Sequence, residues 1–551
     1  MTTYRLNLEA AQFPLLSYYF GPSVVIRTKS DNDYIVTDAY TGNAIANAEV
    51  GIAQPLYMHN VMPSSYGYES VGYRTEVRPA AGLAATGAYN RITLLRNRAE
   101  QRHYMSTSPG NRSLLYDKDY GWIGANISGP AGLPTNAPIT TGYVNGVTYV
   151  CFEHEGIYEY NTETRTLQPV ALKGINAYAV KGITANANSL IAYDDRTIYY
   201  SSFVDATDFT PGLTSSAASA NPQTIRGAIT VCLPINNGFV IYTTHNAVAA
   251  LWTGDTSYPW TFREIPGSAG VLSSEHVSHE SNYENHFAWT TSGLQIISAQ
   301  GAAPFAVELT DYIAKRYFEQ WDLLNWEQAG PLPTFSGRGQ VAAATAKKHW
   351  PCDYTTGGVL TQFPLDVSAR VKLNYVGSRF LAISIGTPNT LRIIIVYDLA
   401  LKRWGKLMID HTDVFEYSPP GGAPPEPLRS FGILQKDGTI LTVDRDVIAQ
   451  HTDSVFLFGR IALARDADTS IRNFKIATGP YDNFGVKLYA AGKARNIVTH
   501  QDLHPVDYTP GDLTRTYYPD NTVAHEFLLG LTGKFHLAGL EMNLDSHKRM
   551  G

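Results

Sequence analysis

The densest run of side chains able to hold a metal is HVSHE, where His276, His279 and Glu280 are followed by His286. A zinc protease needs two histidines four apart on one helical face, with a glutamate between them. Here the histidines are three apart, the glutamate lies outside, and the strand-like context sends His276 and His279 to opposite faces. They read as surface or turn histidines. His500 and His504 do have the helical spacing, but Pro505 follows at once and no third ligand is near in sequence. The segment Gly337-Arg338-Gly339-Gln340-Val341-Ala342 matches a dinucleotide-type G-x-G-x-x-A. That motif works only between a strand and a helix, and here Pro331 and Pro333 precede it with no parallel βαβ pattern around it. Asp31-Asn32-Asp33 and Asp466-Ala467-Asp468-Thr469 open like calcium loops but lack the glycine and the distal glutamate that complete an EF-hand. No phosphate-binding loop, kinase set or G-x-S-x-G elbow is present. Glu155, Asp194, Asp195 and Asp437 sit at turns, where solvated acids belong. Carboxylates of a glycosidase can still converge from distant strands. The expectation is a protein that is not an enzyme, with no catalytic, cofactor-binding or metal-ligating residue assigned.

Composition narrows the class further. Hydrophobic residues are 44 % of 551, enough for a large core. Charged residues are 17 %, below the roughly 25 % usual for soluble domains. Tyr (35), Gly (46) and Pro (30) are plentiful, which favours strands joined by tight turns. The net charge of −6 excludes a strongly basic nucleic-acid binder as a description of the whole chain. Two basic clusters remain. One is Arg91, Arg96, Arg98 and Arg102 before His103, and the other is Lys347-Lys348-His349-Trp350; both read as solvated faces or protein contacts. Cys151, Cys232 and Cys352 are far apart, so neither a disulfide framework nor a metal site is expected. The opening MTTYRLNLEAAQFPLL has no basic segment leading into an apolar one, and no apolar run is long enough to span a bilayer. A soluble protein of a reducing compartment, without signal peptide, is the expectation.

The elements that position these residues repeat. Six stretches pair a short apolar strand, a tight polar turn and a second strand: VTYVCFEHEGIYEY (147–160), SLIAYDDRTIYYSS (189–202), GFVIYTTHNAVAALW (238–252), HFAWTTSGLQII (286–297), RFLAISIGTPNTLRIIIVYD (379–398) and FGILQKDGTILTVD (431–444). Their turns, such as Glu155-Gly156, Asp194-Asp195, Ser292-Gly293 and Asp437-Gly438, have hairpin chemistry. The units start 42, 49, 48, 93 and 52 residues apart. Four-stranded propeller blades recur at roughly 40–50 residues, so the long interval is a double gap. After two units the chain repeats a further pattern: Tyr160-Asn161 leads to Leu167, and Tyr397-Asp398 leads to Trp404, as an outer blade hairpin needs. DATDFTPG (205–212) and DTSYPWTFREIPG (255–267) occupy corresponding places after the second and third units.

In the double gap, Thr310 and Asp311 suit a helix start, and Ile313, Tyr317, Trp321 and Leu324 recur at helical spacing before Gly330. An insertion between blades, or one degenerate blade, explains the gap. Residues 1–135 show few strands among Pro, Gly, Asn and Tyr, and 451–551 are strand-like without the blade pattern. The expected fold is mainly β: a β-propeller of about six blades over 136–450, with a helical or irregular insertion at 305–375. It is inserted in a platform domain with β-sandwich-like strands, formed by the N-terminal segment 1–135 and the C-terminal segment 451–551.

On the blade hairpins, on SLIAYDDRTIYYSS followed by DATDFTPG, on SYPWTFREIPGSAG followed by NHFAWTTSGLQ, and on VYDLALKRWGKL, the chain resembles the nozzle (tubular tail) proteins of short-tailed bacteriophages over about residues 144–444. The resemblance implies a structural virion protein of the phage tail, assembled in the host cytoplasm as a hexameric ring below the portal and adaptor. Its implied partners are the tail adaptor protein, tail fibres or a tail needle or tip, and double-stranded DNA in transient, non-specific passage, with no membrane span. It implies retention of the packaged genome and conduction during ejection, and it brings no catalytic residue and no cofactor. A mildly acidic wall suits a conduit, because phosphate contacts that release counterions make passage sticky; six copies carry about −36 before local pKa shifts. The loops that gate the lumen are not identified by sequence; 330–358, long and without pattern, is the candidate. Two other classes fit a propeller: a polysaccharide hydrolase or lyase, and a protein-interaction scaffold.

Overall fold

The computed structural model describes residues 139–306, 370–417 and 427–447 apart from short gaps, together with strands between residues 2 and 126 and between 454 and 548. Within these residues the chain is almost wholly β, and seven four-stranded antiparallel units stand around one axis. We number them as blades 1 to 7 in the order of their innermost strands: Arg91–Arg96, Ile139–Val144, Gly182–Asn186, Ile229–Ile235, Val277–His279, Arg370–Val376 and Asp413–Glu416. Each of the six repeated hairpins forms the two middle strands of a blade, from blade 2 to blade 7.

Local chemistry explains why the hairpins turn where they do. Gly156, Gly293 and Gly438 have φ of 110°, 102° and 87°, a region that only glycine enters freely. In blade 3 the Asp194 carboxylate accepts from the backbone N–H groups of Arg196 and Thr197, closing an Asx turn without glycine. The outer turns of blades 2 and 6 share one device. Asn161 accepts from Glu163 and Thr164 N–H, and Asp398 accepts from Ala400 and Leu401 N–H, so Leu167 and Trp404 land opposite Tyr160 and Tyr397.

Blades bury both faces against their neighbours, so their middle strands read as continuous apolar runs rather than alternating ones. All six residues of Gly238–Thr243 are buried, as are all five of Ser189–Tyr193. The faces of blades 3 and 4 meet through Ile191, Tyr193, Phe239, Ile241 and Trp260. Those of blades 6 and 7 meet through Phe380, Ile394, Val396, Phe431 and Ile433. One close approach needs glycine for space alone: a Cβ on Gly238 would lie 1.9 Å from the carbonyl oxygen of Ala250. Gly238→Ala is expected to cost about 3 kcal/mol through forced separation of two buried strands, measured as a shifted denaturation midpoint.

Three structural results revise the sequence reading. Blade 1, with strands Arg91–Arg96, Arg102–Ser108, Arg112–Asp117 and Gly121–Asn126, comes from a segment expected to belong to the chain-end domain. The outer strand of blade 7, Gly72–Val77, comes from that segment too, so the ring is closed by chain that precedes it. The propeller therefore begins before residue 136. These strands are interrupted by Arg, Tyr and Ser, so the apolar runs that mark the other blades are missing. Thirdly, the inner strands of blades 5 and 6 are direct neighbours, which makes the double gap an insertion and not a degenerate blade. The helix expected from residue 310, the G-x-G-x-x-A segment, Lys347 to Trp350, Cys352 and the candidate gate loop 330–358 lie outside the described residues.

Strands from both chain ends share the remaining sheets. Thr2–Asn7 pairs antiparallel with Gly539–Lys548, which pairs in turn with Ala467–Ala477. A second sheet joins Val24–Ser30, Ile461–Ala462, Glu526–Lys534, Val455–Phe458 and Pro55–His59. The fold is thus a β-propeller inserted in a domain built by the N- and C-terminal segments. The two parts are tied at blade 6, whose sheet continues through Val61–Ser64 and Gly67–Ser70 to His536–Leu537.

Candidate functional site

The innermost strand of each blade has no strand on its axial side, so its inward groups need other partners. The structure supplies them from the next blade. Ile183 N–H of blade 3 donates to Thr140 Oγ1 of blade 2 at 2.8 Å. Asn186 Nδ2 of blade 3 donates to the Gly238 carbonyl of blade 4 at 2.6 Å. Tyr375 N–H of blade 6 donates to Ser278 Oγ of blade 5 at 2.8 Å. Asp413 of blade 7 is the most connected of these groups. One carboxylate oxygen accepts from Ile92 N–H of blade 1 at 2.9 Å; the other accepts from Lys372 Nζ of blade 6 and from Val414 N–H. This single side chain, 1 % exposed, joins the first blade to the last two.

Inside this girdle lies a cavity of about 740 Å³ on the propeller axis, walled by the inner strands of blades 1 to 6. Its wall is rich in hydroxyl and amide side chains, with Thr140, Thr184, Asn186 and Asn374 among them. The charges on it are already matched. Arg370 grips Glu275 through Nε at 2.8 Å and Nη2 at 2.6 Å, and Lys372 is committed to Asp413. The fork geometry and the shielded position of both partners make this a strong pair, and the Glu275 carboxylate beside it holds the Arg370 guanidinium in its charged form.

The histidines singled out in sequence go to three different environments. His276 ends a short 3-10 turn, Ser274–His276, and burial pushes its pKa down to about 4. His279 lines the cavity, with its ring against that of Tyr283 at 4.9 Å. His286 is fully buried in a middle strand of blade 5: its Nε2–H donates to the Pro234 carbonyl at 2.9 Å, and its Nδ1 accepts from Tyr242 Oη at 2.8 Å. Burial pushes its pKa down to about 3, so it is a neutral core side chain that links blades 4 and 5. Among the described residues no group of three or more His, Cys, Asp or Glu side chains is placed to hold a metal.

The other candidates are scattered. Glu155, Asp195 and Asp437 are exposed at hairpin tips, and Asp194 is spent on its own turn. Arg96 lies opposite Arg102, and Leu95 opposite His103, in the first hairpin of blade 1. Asp33 and His504 begin strands of the chain-end sheet, and Asp468 lies in the strand Ala467–Ala477. Arg98, Asp31, Asp466 and His500 are outside the described residues. Cys151 and Cys232 are buried free thiols, and burial pushes Cys151 up to about 12, which leaves it an unreactive thiol. Among the described residues no helix is long and apolar enough to cross a membrane.

Sequence reasoning missed Glu275, Arg370, Lys372, Asp413 and Tyr283. The partners of the four charged groups lie 95, 41 and 321 residues away, so no local pattern connects them.

No protein-family model and no curated protein sequence matches the chain. Among solved structures it is similar to that of U3-55K, at 8 % identity and a TM-score of 0.37, covering 68 % of this chain and 98 % of the other. It is likewise similar to the WD40 beta propeller domain of Doa1, at 9 % identity and a TM-score of 0.36, again over 68 % and 98 %.

Proposed function

We propose that the chain is a structural, non-enzymatic virion protein: the nozzle of a short-tailed bacteriophage tail, which retains the packaged genome and conducts it during ejection. The observation that supports this reading most directly is the splicing of a closed propeller into a domain made by both chain ends. In such a layout the chain-end domain joins neighbouring subunits and the propeller stands out as a rigid wall element. The stiffness comes from side chains spent between blades: Asp413, Glu275 and Arg370 hold one blade to the next. Closing heterologous contacts makes a ring, here of six copies, instead of a filament. The ring docks on the tail adaptor above and on fibres or a needle below, and its net negative charge keeps duplex DNA from adhering.

Purified chain mixed with a short-tailed phage portal and adaptor is expected to form six-fold rings on the adaptor face, visible by negative-stain imaging. Particles assembled without the chain are expected to package DNA and then lose it. A chain that stays monomeric with both partners, in particles that retain their genomes without it, overturns the proposal.

A further inference from the structure

The axial cavity has a chemistry that points to one ligand class. Its volume lies within the range of sites that enclose a small organic molecule. An anion or cation entering it must break the Glu275–Arg370 or Lys372–Asp413 pair, because the charges described on this wall are already matched. A wholly apolar ligand would strand the threonine and asparagine groups without water. A neutral polyhydroxylated ligand meets neither obstacle. The buried amide oxygen of Asn374 has no hydrogen-bond partner in the protein and can accept a hydroxyl.

Tyr283 supplies a second, independent indication. It is a bulky residue with φ of 58°, a conformation that side chains of this type rarely adopt. It is held there by its N–H, which donates to the Glu280 carbonyl, and by its own carbonyl, which accepts from Asn236 N–H. The consequence of this restraint is an aromatic ring on the cavity wall, braced by His279. Strained residues so over-determined cluster at ligand sites. The face of a phenol ring carries partial negative charge, which attracts the C–H face of a pyranose. We propose that the axial cavity binds a neutral saccharide, with Tyr283 as its stacking platform and Asn374 as a hydrogen-bonding partner. This is a binding site, not a hydrolytic one, since the Glu275 carboxylate on this wall is fully engaged by Arg370.

Saturation-transfer NMR on the full chain tests this, with the methyl glycosides of glucose, galactose, mannose and N-acetylglucosamine at millimolar concentration. At least one is expected to receive saturation, strongest on the C–H protons of one ring face. Tyr283→Gly removes the ring at a position where glycine fits the backbone without strain, so the fold is kept; affinity is expected to fall about tenfold. Tyr283→Phe is expected to retain binding, and inorganic phosphate to leave the signal unchanged. Absence of saturation for all four glycosides overturns the proposal. So does a signal unaffected by Tyr283→Gly, or one displaced by phosphate. None of these outcomes depends on the chain being a tail protein.

Discussion

Replacing Asp413 by alanine is expected to destabilise the protein by about 3–5 kcal/mol, the cost of removing one partner from a buried, hydrogen-bonded charge pair. Lys372, whose side chain is 13 % exposed, is left with an uncompensated charge, and Ile92 N–H loses its acceptor. Blade 1 then loses its polar attachment to blade 7 at the point where the ring closes. Asp413→Asn keeps the shape and an acceptor oxygen for Ile92 while removing the charge, so it should recover part of the loss. Adding Lys372→Met to Asp413→Ala should recover another part, because no buried ammonium remains. Denaturation midpoints of the four proteins check the order. Hydrogen exchange of Ile92 and Val414 should accelerate in Asp413→Ala well before exchange in blade 4 does. Equal protection throughout blades 1 and 7 in that variant would show that Asp413 is not the closing link.

Acid is expected to unfold the protein by a route that its buried histidines set. His286 and His411 are both inaccessible to solvent, and burial lowers their pKa values to about 3 and about 4 from an ordinary 6.5. His411 is held as His286 is: its Nδ1–H donates to the Ile409 carbonyl and its Nε2 accepts from Ser384 Oγ. Because the folded pKa is depressed, the unfolded chain binds more protons than the folded one between pH 6.5 and the folded values. Stability is therefore full above 6.5 and falls as pH drops through that window, levelling off near pH 3–4. At about pH 5 the loss is about 2 kcal/mol for each histidine, or about 4 for the pair. Urea midpoints between neutral pH and pH 5 measure it. His286→Gln together with His411→Gln can preserve much of the hydrogen bonding without a titrating ring, so the slope should flatten by most of that amount. An unchanged slope in the double variant would assign the acid response to other groups.

The hairpins were legible because their information is local. A run such as GFVIYT followed by a polar turn and AVAALW states its own pairing, and burial on both blade faces removes the alternation that would confuse it with a solvated sheet. Spacing near four dozen residues then requires radial repetition. Blade 1 was not legible. Its strands carry Arg and Tyr and lack a long apolar run, so apart from Arg91–Leu95, which reads as a strand, they do not stand out from connecting chain. The closing strand Gly72–Val77 was hidden for a different reason, since its partner Ile440–Asp444 lies at the far end of the propeller.

The site divides along the same line. His286 was visible as a histidine, but its neutral, buried role depends on Tyr242 and the Pro234 carbonyl, which belong to another blade. Glu275, Arg370, Lys372 and Asp413 carry no signal in sequence, and they pair only because blades 5, 6 and 7 are brought to one axis. By itself, the amino-acid order determined the strands, their turns and the repeat, because each depends on contacts between residues close along the chain. Only the tertiary structure decided how many blades close the ring, which charges cancel across it, and what faces the axial cavity. Those outcomes depend on pairs separated by tens to hundreds of residues, whose meeting is set by the packing of whole blades and not by any pattern within one of them.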